Sequence, residues 1–342
     1  MMNQQVDLYP LPDTFYARPV TLADLETAVS FFNTCAMNEI GRANVPPDGI
    51  RSEWTLPSFN LATNTRAVFT NDGQLIGYVE VWDNDDIPSR INVWGRVHPD
   101  YQGQGIGTHL MQWAEARAHQ ALPRVPADVR VCYQTSCAST YAPSHELLRS
   151  LGMTLVRHFW QMEIDLTHPP TVQLPDGLTI RSMIPDKEER AVIQAVRDSF
   201  KDHWGYVEQP FEQEFAEWQH FMHNDPDYDP SLWFVALDGE QIAGISICDL
   251  KSHEDPKMGW IGTLGVLRPW RRRGLGVALL HHSFAELYKR GQTKAALGVD
   301  ASSLTGATRL YERAGMRVAR QSDTYEKEIR PGRDLSTQSA SP

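Results

Sequence analysis

Two stretches of this chain end an apolar run, turn through glycines and then open a helical pattern. They are Val97-His-Pro-Asp-Tyr-Gln-Gly-Gln-Gly-Ile-Gly107 and Val266-Leu-Arg-Pro-Trp-Arg-Arg-Arg-Gly-Leu-Gly276. Glycines at a strand-to-helix turn let the backbone approach a ligand and aim successive N–H groups at it. The helix N-terminus adds partial positive charge, so the place suits a pyrophosphate. Arg271, Arg272 and Arg273 strengthen this in the second stretch, because guanidinium matches phosphate geometry. A Gly-x-Gly before a helix also describes a turn that merely packs a helix on a sheet. The dinucleotide fingerprint and the Gly-Lys-Ser/Thr phosphate loop both fail here. The spacing reads Arg/Gln-x-x-Gly-x-Gly instead, through Gln102, Gly105, Gly107 and Arg271, Gly274, Gly276.

The elements that must position these loops occur twice. Arg18 to Asp24 matches Arg181 to Lys187, Phe69 to Gly77 matches Val235 to Gly244, and Leu147 to Met153 matches Leu310 to Met316. With the glycine loops, that makes four matches in one order at nearly constant offset, which is a duplication. Each half reads as strand, two helices, hairpin, strand, glycine loop, helix, strand, helix, strand. Asp72-Gly73 and Asp238-Gly239 mark the hairpin turns. Val277, Leu279, Leu280, Phe284 and Leu287 recur at helical spacing after the second loop. The fold class is α/β, a mixed sheet with helices on its faces. Domains are expected at 1–165 and 178–330, with a Pro-rich linker at 166–177 and a disordered tail at 331–342.

The 342 residues are comfortable for two domains. Net charge is −11, which argues against nonspecific nucleic-acid binding and weakly favours a cationic or neutral partner. No apolar run is long enough for a membrane span, and residues 1–12 show no signal-peptide pattern. Four scattered cysteines, Cys35, Cys132, Cys137 and Cys248, make neither a disulfide framework nor a metal site and read as reduced cytoplasmic thiols.

At the glycine loops the chain resembles the GNAT acyltransferase superfamily, whose acyl-CoA pyrophosphate loop is Arg/Gln-x-x-Gly-x-Gly/Ala. Leu310-Tyr311-Glu-Arg-Ala-Gly315-Met316 is similar to the family's second signature. The resemblance covers residues 15–165 and 178–329, making two tandem GNAT domains. Phe200-Lys-Asp-His-Trp-Gly205 and Asp229-Pro-Ser-Leu-Trp233 also look like tandem GNATs of the mycothiol synthase type. The resemblance implies acetyl-CoA as co-substrate, no metal, and acetyl transfer to a primary amine of a small molecule in a ternary complex. Alternatives are acetylation of a protein N-terminus or lysine, and an acyl-CoA-binding regulatory module without turnover. A homodimer is compatible with either.

The same resemblance assigns residues. Leu264, Gly265 and Val266 would hydrogen-bond pantetheine beside a splayed strand, and Arg271 to Val277 with Ser303 would complete the cofactor site. In the first copy the matching residues are Val97, Gln102, Gly103, Gln104, Gly105, Ile106, Gly107 and Thr108. Tyr311 stands where the family carries its general acid, whereas the first copy has Leu148, which cannot donate a proton. Activity is therefore expected in the C-terminal domain, with the N-terminal one degenerate. Family members often carry a basic glutamate on the strand before the loop, but Gly259 to Gly265 has no carboxylate. Asp300 is the preferred base, with Asp249, Glu254 and Asp255 as alternatives. His203, Trp204 and Tyr206 are the expected acceptor contacts. Phe211, Phe215, Trp218 and Met222, at helical spacing, read as core.

Overall fold

A computed structural model of the chain describes residues 8–338. Two compact units result. Among the described residues the first runs to Val156 and then takes Ser322–Leu335, and the second comprises Arg157–Gln321 with 336–338.

In the first unit, β1 (Phe15–Arg18) leads to α1 (Leu25–Ile40), α2 (Pro47–Trp54) and the single turn α3 (Leu61–Asn64). The hairpin β2 (Thr65–Thr70) and β3 (Leu75–Trp82) follows, then β4 (Arg90–Val97), α4 (Ile106–His119), β5 (Val131–Ala138), α5 (Ala142–Ser150) and the start of β6 (Thr154–Asp165). α1 buries Leu25, Ala28, Val29, Phe32 and Cys35, the spacing of one helical face, and stops at Gly41 with φ 75°. β3 is buried on both faces. Tyr78 packs with α1 and α2, while Val79 and Val81 pack with α4.

The second unit repeats the pattern. β7 (Leu178–Ser182), α6 (Glu189–Phe200), α7 (Phe211–Asn224), β8 (Trp233–Asp238), β9 (Gln241–Asp249) and β10 (Met258–Val266) come first. They are followed by α8 (Leu275–Lys289), β11 (Lys294–Asp300), α9 (Ala307–Arg313) and the start of β12 (Arg317–Arg330). Phe215 is buried in its core and Phe211, Trp218 and Met222 pack against the same cluster, so this stripe is core.

The two last strands are exchanged. β12 pairs antiparallel with β5, from Ser322 opposite Ala138 to Arg330 opposite Val131. β6 pairs antiparallel with β11, from Phe159 opposite Asp300 to Asp165 opposite Lys294. The strand order is β1-β2-β3-β4-β5-β12 in the first unit and β6-β11-β10-β9-β8-β7 in the second. The sequence-derived bounds 1–165 and 178–330 therefore assign each last strand to the repeat that precedes it, and the compact units assign it to the other. No local propensity encodes which copy a strand will join.

The tail also departs from expectation through residue 338. Arg333 N–H donates to the Asp128 carbonyl at 2.7 Å, and Thr337 exchanges 2.9 Å backbone bonds with Gly205 and Tyr206. Residues 339–342 of the expected disordered tail lie outside the described residues. Over 166–177, Leu166 N–H is held by the Thr293 carbonyl at 2.8 Å and the rest has no regular structure.

A chain ending at residue 170 lacks the strand beside β5 and the fully buried Tyr325. It should show no cooperative thermal unfolding by circular dichroism, whereas the full chain should. Cooperative melting of the fragment would show that the exchanged strand is dispensable.

Candidate active site

The site in the second unit begins where two parallel strands part. β10 pairs with β11 only from Met258 opposite Lys294 to Trp260 opposite Ala296. Beyond Trp260 β10 keeps its other neighbour, β9, with a register shift between Ile261 and Thr263. A bulge of this kind bends a strand away from its ladder. The backbone of Leu264, Gly265 and Val266 thus faces the opening without a β11 partner.

A cavity of about 200 Å³ fills the gap. Leu264, Asp300, Ser303, Tyr311, His203 and Trp204 all line it, so six expected site residues converge there. Tyr206 does not. Among the described residues its hydroxyl is buried without a hydrogen-bond partner, and its backbone is tied to Thr337. Trp204 is held from both sides, by Arg157 over its ring at 4.9 Å and by Gln338 Oε1 on its indole N–H at 3.1 Å. Burial lowers the pKa of His203, with Arg271 adding to the effect, so its imidazole is neutral. Tyr311 is 7% exposed, and burial pushes its phenol up to about 12. It therefore holds its proton throughout the neutral range.

The candidate bases separate by their partners. Asp300 is clamped by Arg157, whose Nε and Nη2 reach its carboxylate at 3.0 and 2.8 Å, and it also accepts the Ser302 N–H at 2.9 Å. Both of its oxygens are thus already engaged by fixed donors. Glu254 is ion-paired with Arg320, and Asp255 accepts the Lys257 N–H at 2.8 Å. Asp249 sits across from Trp260 in the β9–β10 register. Among the described residues its carboxyl has no hydrogen-bond donor. Burial, followed by the charges of Asp225 and Asp227, pushes it up to about 6. Its Oδ2 lies 3.9 Å from where a Cβ on Gly262 would stand, and Gly262 lines the cavity.

At the glycine loop the side chain of Arg271 is engaged by the protein itself. Its guanidinium turns inward to the Val266 carbonyl (2.9 Å), the Ser199 carbonyl (3.2 Å) and Asp202 (2.5 Å). Arg268 joins Asp202 at 2.5 Å, and the hydrogen bonds from Arg268 lead in holding that carboxyl at about 2. Arg271 thus fastens the end of β10 to the end of α6. Arg272, with φ 63°, and Arg273 are exposed beside Gly274, whose φ of 87° begins α8. A Cβ on Gly274 would meet nothing within 4 Å. Val277 follows in the first turn of α8.

The first unit has the same opening and more room. β4 pairs with β5 only from Arg90 to Asn92, and a cavity of about 610 Å³ follows. Val97, Gln102, Gly103, Gly105, Ile106, Gly107 and Thr108, all expected cofactor residues, line it; Gln104 does not. Leu148 lines it in place of a tyrosine, and Glu39 and Arg96, 3.2 Å apart, stand as an ion pair on its wall.

Residues 193–316 match the Acetyltransferase (GNAT) family, and residues 64–152 match the Acetyltransferase (GNAT) domain. A GCN5-related N-acetyltransferase from Sphaerobacter thermophilus has a similar structure, with TM-score 0.78 and 33% identity over 96% of this chain and 100% of its own. The chain belongs to the GNAT family. It is an acyltransferase built of two GNAT domains. Proteins called mycothiol acetyltransferase are also similar. One from Streptomyces scabiei is 27% identical over 93% of this chain and 92% of its own length. One from Streptomyces griseus is 31% identical over 72% and 75%. Among the described residues no helix is long and apolar enough to cross a membrane.

Three features of these GNAT domains escape sequence reasoning. Asp202 as the partner of both arginines is 66 and 69 residues from them, and no spacing signals it. Gln338 and Thr337, which hold the acceptor segment, lie in what reads as a loose tail. The last glycine of each loop is set by packing. A Cβ on Gly276 would come within 2.7 Å of Leu310, and one on Gly107 within 2.8 Å of Leu147. Because these contacts are with half-buried side chains packed on the core, Gly276→Ala should destabilise by about 1–3 kcal/mol through overpacking. A lower urea midpoint with unchanged slope would show it, and an unchanged midpoint would place the constraint in the ligand instead.

Proposed function

We propose that the C-terminal GNAT domain transfers the acetyl group of acetyl-CoA to a primary amine of a small molecule, with Tyr311 as general acid and Asp249 as general base. The observation that carries this reading is the single cavity at the parted end of β10, which is lined by Tyr311 and flanked by Asp249.

Acetyl-CoA is a substrate of this reaction. Backbone groups of Leu264 to Val266 would hold its pantetheine arm as an added strand, and the N-terminus of α8 at Gly274 to Val277 would hold its pyrophosphate. The fit rests on two features: an edge of β10 free on the cavity side, and open space at Gly274. The amine nitrogen bonds to the thioester carbon and the carbon–sulfur bond breaks. Asp249 takes the proton from nitrogen, and the Tyr311 O–H protonates the departing sulfur. Positioning supplies much of the rate. His203 and Trp204 would orient the acceptor, and Asp300, paired to Arg157, would shape its pocket. The similar proteins are named mycothiol acetyltransferases, so the amine those enzymes acetylate is the first acceptor to assay. The N-terminal domain, with Leu148 at the acid position, would hold acyl-CoA with little turnover.

Tyr311→Phe should lower kcat by roughly 10²-fold, the lower range for general acid catalysis, and leave KM for acetyl-CoA nearly unchanged. An interaction made only in the transition state appears in kcat. Steady-state release of free CoA measures both constants, and normal turnover with the true acceptor would falsify the assignment.

Asp249 accepts a proton only when ionised, so wild-type kcat/KM should fall as pH drops below about 6. Asp249→Asn should remove that limb along with most activity. The raised value also bears on stability. Its contribution is complete below the unfolded-state value near 4 and is lost as pH rises through about 6. Asp249→Asn should therefore melt higher than wild type at pH 8 and no higher at pH 4. Equal melting temperatures at pH 8 would show that the carboxyl is solvated and unsuited to the role.

A further inference from the structure

The two glycine loops differ in what lies over them. At Gly274 a Cβ would meet open space, but at Gly105, its counterpart with φ 81°, a Cβ would stand 2.2 Å from Cε1 and 2.7 Å from Cδ1 of Tyr9. The Tyr9 ring thus rests on the turn that opens α4, where backbone N–H groups and the helix dipole favour an anion. A pyrophosphate and this ring cannot share the space.

The ring is fastened through its backbone. Tyr9 N–H donates to Gln112 Oε1 at 2.6 Å, and the Tyr9 carbonyl lies 2.8 Å from His109 Nδ1. A carbonyl only accepts, so Nδ1 carries the proton. Among the described residues His109 Nε2 is buried without a hydrogen-bond partner, which leaves the imidazole dedicated to this one contact. Two residues on, Leu11 packs against the core of the first unit. In the second copy the residue in place of His109 is Ala278, so the holder is present only in the copy that is covered. Tyr9 itself is 47% exposed. It covers the loop from the solvent side and can leave without disturbing the core.

We infer that the segment around Tyr9 is an autoinhibitory strap, which excludes the pyrophosphate of a CoA ester from the N-terminal GNAT domain until it is displaced. The pantetheine part of the groove stays accessible, because the cavity of about 610 Å³ extends past the ring to Arg96, Ser136 and Leu148. The inference rests on the reading of this loop as a CoA site.

Calorimetric titration of the full chain tests it, with acetyl-CoA and with acetyl-pantetheine, which lacks the pyrophosphate. A strap closed about nine-tenths of the time weakens apparent affinity about tenfold. Tyr9→Ala and His109→Ala should each tighten the weaker of two acetyl-CoA sites by about that factor and leave acetyl-pantetheine unchanged. Hydrogen exchange at the Tyr9 amide should quicken when wild type binds acetyl-CoA, which assigns the weaker site to this domain. Two sites of unaltered affinity in both variants would overturn the strap and leave the loop as a CoA site. A single site in all three proteins would overturn the site and the strap together. Equal tightening for acetyl-pantetheine would show that Tyr9 obstructs the whole groove rather than the anion place.

Discussion

The parting of β10 from β11 after Trp260 is the constraint on which the site depends. A sheet gains from continuing its ladder, and buried backbone groups left unpaired are costly. The opening persists because its walls are fixed from elsewhere. β9 holds one side of β10 up to Val266, and β6 holds the far side of β11 up to Asp300. Arg271, bridging the Val266 carbonyl and Asp202, then prevents the end of β10 from swinging back. An edge kept open in this way matches a ligand with alternating amide groups, which is why the opening and the glycine loop lie along one path.

Around that opening, pairing and desolvation give the acidic groups different surroundings. Asp202 and Asp300 are both saturated by arginine and act as fixed counter-charges. Asp249 is half-buried, and burial followed by the charges of Asp225 and Asp227 disfavours its ionised form. Tyr311 experiences burial alone, which favours its neutral, proton-bearing form. In the proposed reaction Tyr311 is the acid and Asp249 the base, and their surroundings differ in which partners are present.

The duplication, the element order and both glycine loops were legible in the sequence, since they rest on local spacing. Tyr311, His203, Trp204 and Ser303 also meet at one cavity, as their positions along the repeat suggest. Asp300 is in the cavity but spent on Arg157, a partner 143 residues away that no pattern announces. Arg271 holds the first position of the phosphate-loop spacing, but its guanidinium is taken up by Asp202 and two backbone carbonyls, which no spacing signals. In the sequence Asp249 stands with Glu254 and Asp255 behind the preferred Asp300, and only its half-buried setting in the fold distinguishes it. Long-range ion pairs and strand exchange depend on tertiary contacts, and a single chain carries no periodic sign of them.

The exchanged strands bear on how the molecule is made. A ribosome delivers residues in order, and the first unit is incomplete until Ser322–Leu335 emerges, after nearly the whole second unit. β5 therefore waits with an unpaired edge through the synthesis of almost two hundred residues, counting from Ala138 to Leu335. Such an edge invites association with other nascent chains. Completion of the N-terminal domain thus follows synthesis of the second repeat, and gene fission between the repeats would separate each sheet from its own last strand.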